Sequence, residues 1–310
     1  MVTNVLFASK SEPWKAYESP LARALADAGV DADLRTEFPE TEVDYIVYAP
    51  SSTVQDFTPY TRLKAVLNLW AGVEGVVGNQ TLNVPLARMV DPGMTSGMVE
   101  WVTGHVMRHH LGMDAHITGQ DGQWRKAIPP LAQDRRVTVL GLGELGRACA
   151  MALHGLGFPV TGWSRSAKTL PGITTLHGPD GLRTALGSAD ILVLLVPNTP
   201  ETENLIDAAA LAAMPRGAFL INPGRGTLID DTALLAALDS GQIEHATLDV
   251  FRTEPLPADN PFWAHRRVTV TPHIASTTRV ETASQAIAEN IRRGETGEPL
   301  LHLVDRSRGY

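Results

Sequence analysis

Short apolar runs alternate with amphipathic stretches along the chain. Val5-Leu6-Phe7-Ala8 predicts a strand, and Leu21, Ala24 and Leu25 predict a helix that Gly29 stops. Tyr45-Ile46-Val47-Tyr48 and Ala65 to Leu69 are further strands, each bounded by Pro, Gly or polar residues. Strands alternating with helical segments predict parallel βαβ units rather than a sandwich. A helix is expected from about Ser96 to about Leu111, with Met98, Val102 and Val106 one turn apart. Gly119, Gly122, Pro129 and Pro130 then break the chain and mark the entrance to a second unit.

In that unit Arg136 to Leu140 reads as a strand, Glu144 to Gly155 as a helix and Pro159 to Trp163 as the next strand. Ile191 to Val196 is continuously apolar, as expected of a strand covered on both faces. Ala218 to Ile221, Ala246 to Val250 and Val268 to Val270 follow, with Ala/Leu-rich helices between most of them. The pattern is that of a doubly wound α/β sheet. Val280, Ala283, Ile287 and Ile291 predict a last helix, and the polar residues beyond His302 read as a surface tail.

A length of 310 residues leaves room for two domains, each with a sizeable core. The net charge of −8 and the lack of a long Lys/Arg run disfavour nucleic acid or an anionic membrane as the main partner. A single cysteine, Cys149, cannot form an internal disulfide, and its Ala-rich surroundings suggest a buried thiol. No basic segment precedes an apolar run at the start, and no apolar run reaches transmembrane length, so a soluble cytoplasmic protein is expected.

Between the strand ending at Leu140 and the following helix lies Gly141-Leu142-Gly143-Glu144-Leu145-Gly146, a G-x-G-x-x-G loop in strand–turn–helix context. Gly141 permits the tight turn, Gly143 lets a pyrophosphate approach the backbone, and Gly146 lets helix and strand pack closely. At the end of the next strand, where an acidic residue would hold a ribose 2′-hydroxyl, the chain has Trp163-Ser164-Arg165-Ser166, with Lys168 beyond. An Arg among hydroxyls suits a 2′-phosphate, so NADP(H) is expected as the preferred cofactor, with NAD(H) as the alternative.

Three later strand ends carry polar residues in Gly/Pro-shaped loops: Asn222-Pro223-Gly224-Arg225-Gly226, Asp249 to Pro255, and Thr271-Pro272-His273-Ile274-Ala275-Ser276. On these motifs and their spacing, 29 residues from Arg225 to Glu254 and 19 from Glu254 to His273, the chain resembles the D-isomer-specific 2-hydroxyacid dehydrogenases. Trp163-Ser-Arg-Ser and Pro261-Phe262-Trp263 resemble their glyoxylate/hydroxypyruvate reductase A branch. The chemistry is consistent with such residues. Reduction of a 2-oxo acid needs a hydride at the carbonyl carbon and a proton at its oxygen, which an imidazolium at His273 can supply. Glu254 would favour that imidazolium by opposite charge, and Arg225 can bind the carboxylate and polarise the carbonyl.

The resemblance implies two doubly wound parallel-sheet domains, a Rossmann-type NADP-binding domain at 96–284 and a smaller flavodoxin-like substrate domain from 1–95 and 285–310, with the active site in a cleft between them. It assigns catalysis to Arg225, Glu254 and His273. To the cofactor it assigns the 141–146 loop, Ser164, Arg165, Ser166, Pro197, Asn198, Thr199, Asn222, Pro223, Asp249, Ala275 and Ser276. To the substrate it assigns Tyr48, Ala49, Trp70, Ala71, Gly72 and Val73, together with Arg225 and His273, the N–H groups of Gly72 and Val73 receiving the carboxylate. It also implies a homodimer, with the Trp101–His110 helix and the Gln120–Trp124 segment in the contact. Two alternatives stay open: a dehydrogenase for a bulkier 2-oxo acid, and a non-catalytic nucleotide-sensing protein of the same fold. His105 and His109 lie at i, i+4 but lack a further ligand at metal-binding spacing, so no metal is expected.

Overall fold

In the computed structural model, which describes residues 2–309, the apolar runs become parallel strands and the amphipathic stretches become helices covering them. The chain divides into two units, one made of the residues up to Met94 and those from Thr278 onward, the other of Thr95–Thr277.

The first unit begins with β1 (Thr3–Ala8), α1 (Trp14–Asp27), β2 (Ala32–Arg35), β3 (Tyr45–Tyr48), β4 (Ala65–Asn68) and β5 (Leu86–Ala87). Its strands are all parallel in the order β2-β1-β3-β4-β5, the flavodoxin-like arrangement. The buried face of α1 is Tyr17, Leu21, Ala24 and Leu25, and the helix ends before Gly29, whose φ of 73° a side chain would resist.

The second unit contains α2 (Pro92–Leu111), α3 (Asp114–Ile117), β6 (Val137–Leu140), α4 (Glu144–Gly155), β7 (Val160–Ser164), β8 (Thr174–His177) and α5 (Gly178–Gly187). It continues through β9 (Ile191–Leu194), α6 (Ala208–Ala213), β10 (Ala218–Asn222), α7 (Asp231–Asp239), β11 (Ile243–Leu248) and β12 (Val268–Val270). The unit boundary falls inside α2, which starts four residues before the expected Ser96. Asp91 starts it by accepting the N–H groups of Gly93 and Met94 at 2.8 and 3.1 Å, with Pro92 supplying a preset φ. The seven parallel strands run β12-β11-β10-β9-β6-β7-β8, so the topological switch point lies between β6 and β9. Alternate residues of β9 face opposite layers: Ile191 and Val193 join one core cluster, Leu192 and Leu194 the other. That is why its sequence is apolar without alternation.

The chain returns to the first unit as α8 (Val280–Thr296), which buries Ala283, Ile287, Ala288 and Ile291 and packs on α1. The return expected at residue 285 falls within this continuous helix; the unit begins again at Thr278. The segment after His302 is not a free tail. Leu303 bridges antiparallel to Ala87, Val304 N–H donates to Leu86 C=O at 2.8 Å, and Arg306 donates to the carbonyls of Val77, Asn79 and Leu82. Polar side chains suggested solvent, but the backbone supplies an edge for β5 and Arg306 supplies donors for a carbonyl cluster. Among the described residues no helix is long and apolar enough to cross a membrane.

Candidate active site

The G-x-G-x-x-G loop joins the carboxyl end of β6 to the start of α4, beside the switch point. Two of its glycines answer to the fold. Gly141 has φ 101°, and a Cβ there would stand 2.4 Å from the Leu195 carbonyl; a Cβ on Gly146 would collide with the Gly141 carbonyl oxygen. Gly143 differs: its φ is −72°, and a Cβ would meet nothing within 4 Å. The fold itself does not need a glycine there, so the bare backbone at the amino end of α4 fits a ligand that approaches it closely, as a pyrophosphate does. Leu142 is buried and packs against Gly162 of β7, so its contribution to the loop is anchorage, while Glu144 and Leu145 form the first turn of α4.

At the end of β7, Ser164 is buried and its hydroxyl donates to Ser166 C=O at 2.8 Å, shaping the turn that carries Arg165. Lys168 reaches back to donate to Leu142 C=O at 2.6 Å, which brings a cation to the glycine loop. Pro197, Asn198 and Thr199 follow β9. Thr199 N–H donates to Thr202 Oγ1 at 2.8 Å, and Asn198 accepts from Thr227 Oγ1 at 2.9 Å.

Arg225, Glu254 and His273 lie in loops following β10, β11 and β12. Asn222, fully buried, braces the first loop: its amide donates to Arg225 C=O at 2.9 Å and its Oδ1 accepts Gly224 N–H at 3.1 Å, across Pro223. Glu254 Oε1 accepts Phe251 N–H at 2.8 Å, and Oε2 lies 2.7 Å from His273 Nδ1. Burial opposes ionisation of Glu254, but the hydrogen bonds from His273 and Phe251, with the charges of His273 and Arg225, outweigh it and hold the carboxyl below its ordinary range. An ionised carboxylate only accepts, so Nδ1 carries the shared proton and Nε2 is the ring nitrogen left to act.

His273 adopts φ 54°, in the left-handed region that a residue with a Cβ enters only when held. Asp249, at 1% exposure, does the holding. Its C=O accepts His273 N–H at 2.9 Å; its Oδ1 accepts Thr271 Oγ1 at 2.5 Å and Ile274 N–H at 2.9 Å; its Oδ2 accepts Ala275 N–H at 2.9 Å. The geometry therefore makes Asp249 the anchor of the loop from Thr271 through Ala275 to Ser276. The resemblance assigns Asp249 to the cofactor; here both of its carboxylate oxygens bond the His273 loop. The signal that could have found the anchor is the Thr two residues before His273, a hydroxyl with a strand-end carboxylate to bond.

In the first unit, Asn68 donates to the carbonyls of Trp70 and Gly72 at 2.8 Å each, and Val73 C=O accepts Val76 and Val77 N–H. The Trp70-Ala71-Gly72-Val73 loop is thus pinned through its carbonyls. Trp70 is 36% exposed and donates to Glu12 at 3.2 Å, while Val73 is buried. Tyr48 and Ala49, assigned to the substrate by the resemblance, are both at 0% exposure, with the Tyr48 ring 5.6 Å from Phe57 in the core. Tyr48 ends the central strand β3 and Ala49 follows it.

Elsewhere the conspicuous residues have packing roles. Burial pushes the Cys149 thiol up to about 12. His109 stacks on Phe219 and meets Thr247 Oγ1 at 2.9 Å; His105 packs on Trp101; His245 meets Thr269 Oγ1 at 2.8 Å. Burial drives all three below the usual histidine range, His109 to about 3 and His105 and His245 to about 4, with the Arg108 charge adding to the effect.

The model for the D-isomer-specific 2-hydroxyacid dehydrogenase NAD-binding domain matches residues 103–275, more than half of the chain. The chain belongs to that family. As a D-2-hydroxyacid dehydrogenase family member it is an oxidoreductase. It is 38% identical over 257 residues to glyoxylate/hydroxypyruvate reductase A of Salmonella heidelberg, covering 80% of this chain and 82% of the relative. A family member from Xanthobacter autotrophicus, solved in complex with NADPH and MES, superposes with a TM-score of 0.93 at 41% identity over the whole of both chains. The NADPH-dependent glyoxylate/hydroxypyruvate reductase of Sinorhizobium meliloti, in complex with NADP and sulfate, gives 0.89 at 34% identity, covering 99% of this chain and 100% of that one.

Proposed function

We propose that this dehydrogenase catalyses NADPH-dependent reduction of a small 2-oxo acid, of the glyoxylate or hydroxypyruvate kind, to the 2-hydroxy acid. The observation that carries the reading is the 2.7 Å Glu254–His273 pair, in the same set of strand-end loops as Arg225 and in the unit that carries the glycine loop. The complexes of the Xanthobacter and Sinorhizobium relatives with NADPH and NADP support the cofactor, and the names of the Sinorhizobium and Salmonella reductases support the substrate class.

The 141–146 loop and the amino end of α4 would hold the pyrophosphate, with Arg165 and Ser166 at the 2′-phosphate. NADPH, when bound, supplies the hydride. Arg225 draws electron density toward the carbonyl oxygen and offsets the charge that develops there. His273, as the imidazolium paired with Glu254, gives its Nε2 proton to that oxygen and ends as neutral imidazole still bonded through Nδ1. The backbone at Gly72 and Val73 is assigned to the substrate carboxylate. The apolar side chains left exposed from Ile117 to Leu131, with Trp124 at 98% and Ile128 at 81%, are assigned to a contact with a second copy of the chain.

The test is NADPH oxidation with a panel of 2-oxo acids from glyoxylate to bulky aromatic ones. Small acids and NADPH should give the highest kcat/KM, and His273→Gln should lower kcat by about 100-fold or more while NADPH affinity is kept. Turnover retained in that variant refutes the proton donor. Comparable kcat/KM with NADH refutes the cofactor preference, and no turnover with any acid refutes the reading as a whole.

A further inference from the structure

Arg252 sits in the loop that bears Glu254, two residues before it, and its guanidinium engages residues 203–204 and 227–231. Its guanidinium donates to Ile229 C=O at 2.7 Å, to Thr227 C=O at 3.3 Å and to the side-chain oxygen of Asn204. Glu203 and Asp231 lie 3.6 and 3.9 Å from it and balance its charge. Burial raises the Asp231 carboxyl above its ordinary range, and the Arg252 charge opposes that rise.

The acceptors belong to one small assembly. Residues 204–206 run beside 227–229: Asn204 N–H donates to Thr227 C=O and Ile206 N–H to Leu228 C=O, both at 2.9 Å, with a parallel bridge between Ile206 and Ile229. That assembly begins directly after Arg225. Gly226 packs on the Phe251–Arg252 peptide so closely that a Cβ would overlap it. The two loops therefore touch backbone to backbone at Gly226, and Arg252 fastens them one residue further on. Nη2 is the donor to the oxygens of both segments, while Nη1 and Nε lie toward Glu203 and Asp231, so the planar guanidinium engages several partners at once where an ammonium has one nitrogen.

We infer that Arg252 is a positioning residue for catalysis: it holds the Phe251–Glu254 loop in register with the Arg225 turn, so that Glu254 meets His273 and Arg225 from one fixed place. The inference rests on the function proposed above. It acts through Glu254, since Arg252 itself has no part in the hydride or proton step.

The experiment is a double-mutant cycle on the full-length enzyme, with NADPH and the best 2-oxo acid of the panel. Arg252→Gln should lower kcat about 10- to 50-fold with the KM for NADPH unchanged, and Arg252→Lys should recover only part of the loss. In an enzyme already carrying Glu254→Gln, Arg252→Gln should cost less than about twofold more, because the group it positions is gone. A role confined to stability would instead leave kcat per folded molecule unchanged. Should Arg252→Gln fail to fold, Asn204→Gly removes one acceptor at a backbone whose φ of 52° glycine tolerates, and should give a smaller fall, again absorbed by Glu254→Gln. Single-variant rates within twofold of wild type overturn the inference, as does a double variant that falls by the product of the two singles. Wild-type enzyme that reduces no 2-oxo acid overturns the underlying function as well, a result distinguishable from either.

Discussion

Removing the Asp249 carboxylate tests whether this residue anchors the His273 loop or serves the cofactor. It is 1% exposed and accepts three side-chain hydrogen bonds, at 2.5 Å from Thr271 Oγ1 and 2.9 Å from each of the Ile274 and Ala275 N–H groups. Hydrogen bonds to a charged group contribute about 1.5–3 kcal/mol each, and a buried donor left without a partner costs about 1–3 kcal/mol. Losing all three does not add fully, since Ile274 is exposed and its N–H can turn to water. Asp249→Ala should therefore cost about 3–5 kcal/mol in the second unit. Asp249→Asn keeps one acceptor oxygen but sets an amide NH2 against a donor, and should cost about 2–3 kcal/mol. With the anchor gone, His273 should relax out of its φ of 54° and separate from Glu254. The assays are the urea unfolding midpoint, hydrogen exchange at the Ile274 and Ala275 amides, and steady-state kinetics. Expected are a lower midpoint, faster exchange at both amides and a kcat reduced about 100-fold or more. An unchanged midpoint with intact protection, together with a raised KM for NADPH, would refute the anchor and favour a direct cofactor contact.

Two further outcomes follow from the same unit. His105, His109 and His245 titrate near 4, 3 and 4 in the folded chain, against about 6.5 in the unfolded one, so the unfolded state takes up protons first as pH falls. Their stabilising effect is complete above about pH 6.5 and is lost progressively as pH falls toward 4. The urea midpoint should therefore drop between pH 7 and pH 5, before most carboxylates titrate, and a flat profile over that range contradicts burial of neutral rings. Light scattering should give a mass near twice that of the chain, and Trp124→Glu with Ile128→Glu should halve it; a monomeric wild type removes the assigned contact.

Much of the second unit was legible because its signals are local. A strand covered on both faces must be apolar throughout, as Ile191 to Leu194 are, and a phosphate-binding turn must spare backbone space at fixed offsets, as Gly141, Gly143 and Gly146 do. The strands that escaped notice, β2, β5 and β8, are short or lie at sheet edges; Ala32–Arg35 and Thr174–His177 are at most half-buried and carry no apolar run. The C-terminal segment misled for a related reason. Its contacts are made by backbone groups, by Arg306 and by Val304, too few apolar side chains to form a hydrophobic pattern. The burial of Tyr48 and Ala49 was not legible because a residue at a strand end can face the core or the surface, and the sequence is the same in either case.

Sequence alone determined the residue types at the strand ends, and with them the kind of chemistry available: an imidazole, a carboxylate, a guanidinium and a glycine loop. Those are properties of side chains and of short-range spacing, which survive without knowledge of the fold. Which of these groups work as partners was decided by tertiary structure. It placed Glu254 on His273 across 19 residues, set the Asp249 carboxylate against the strained His273 loop, and set Arg252 against a turn 23 residues earlier. Such pairings depend on the order in which parallel strands lie side by side. Strand order is fixed by crossovers and packing over the whole sheet, so no local pattern encodes it.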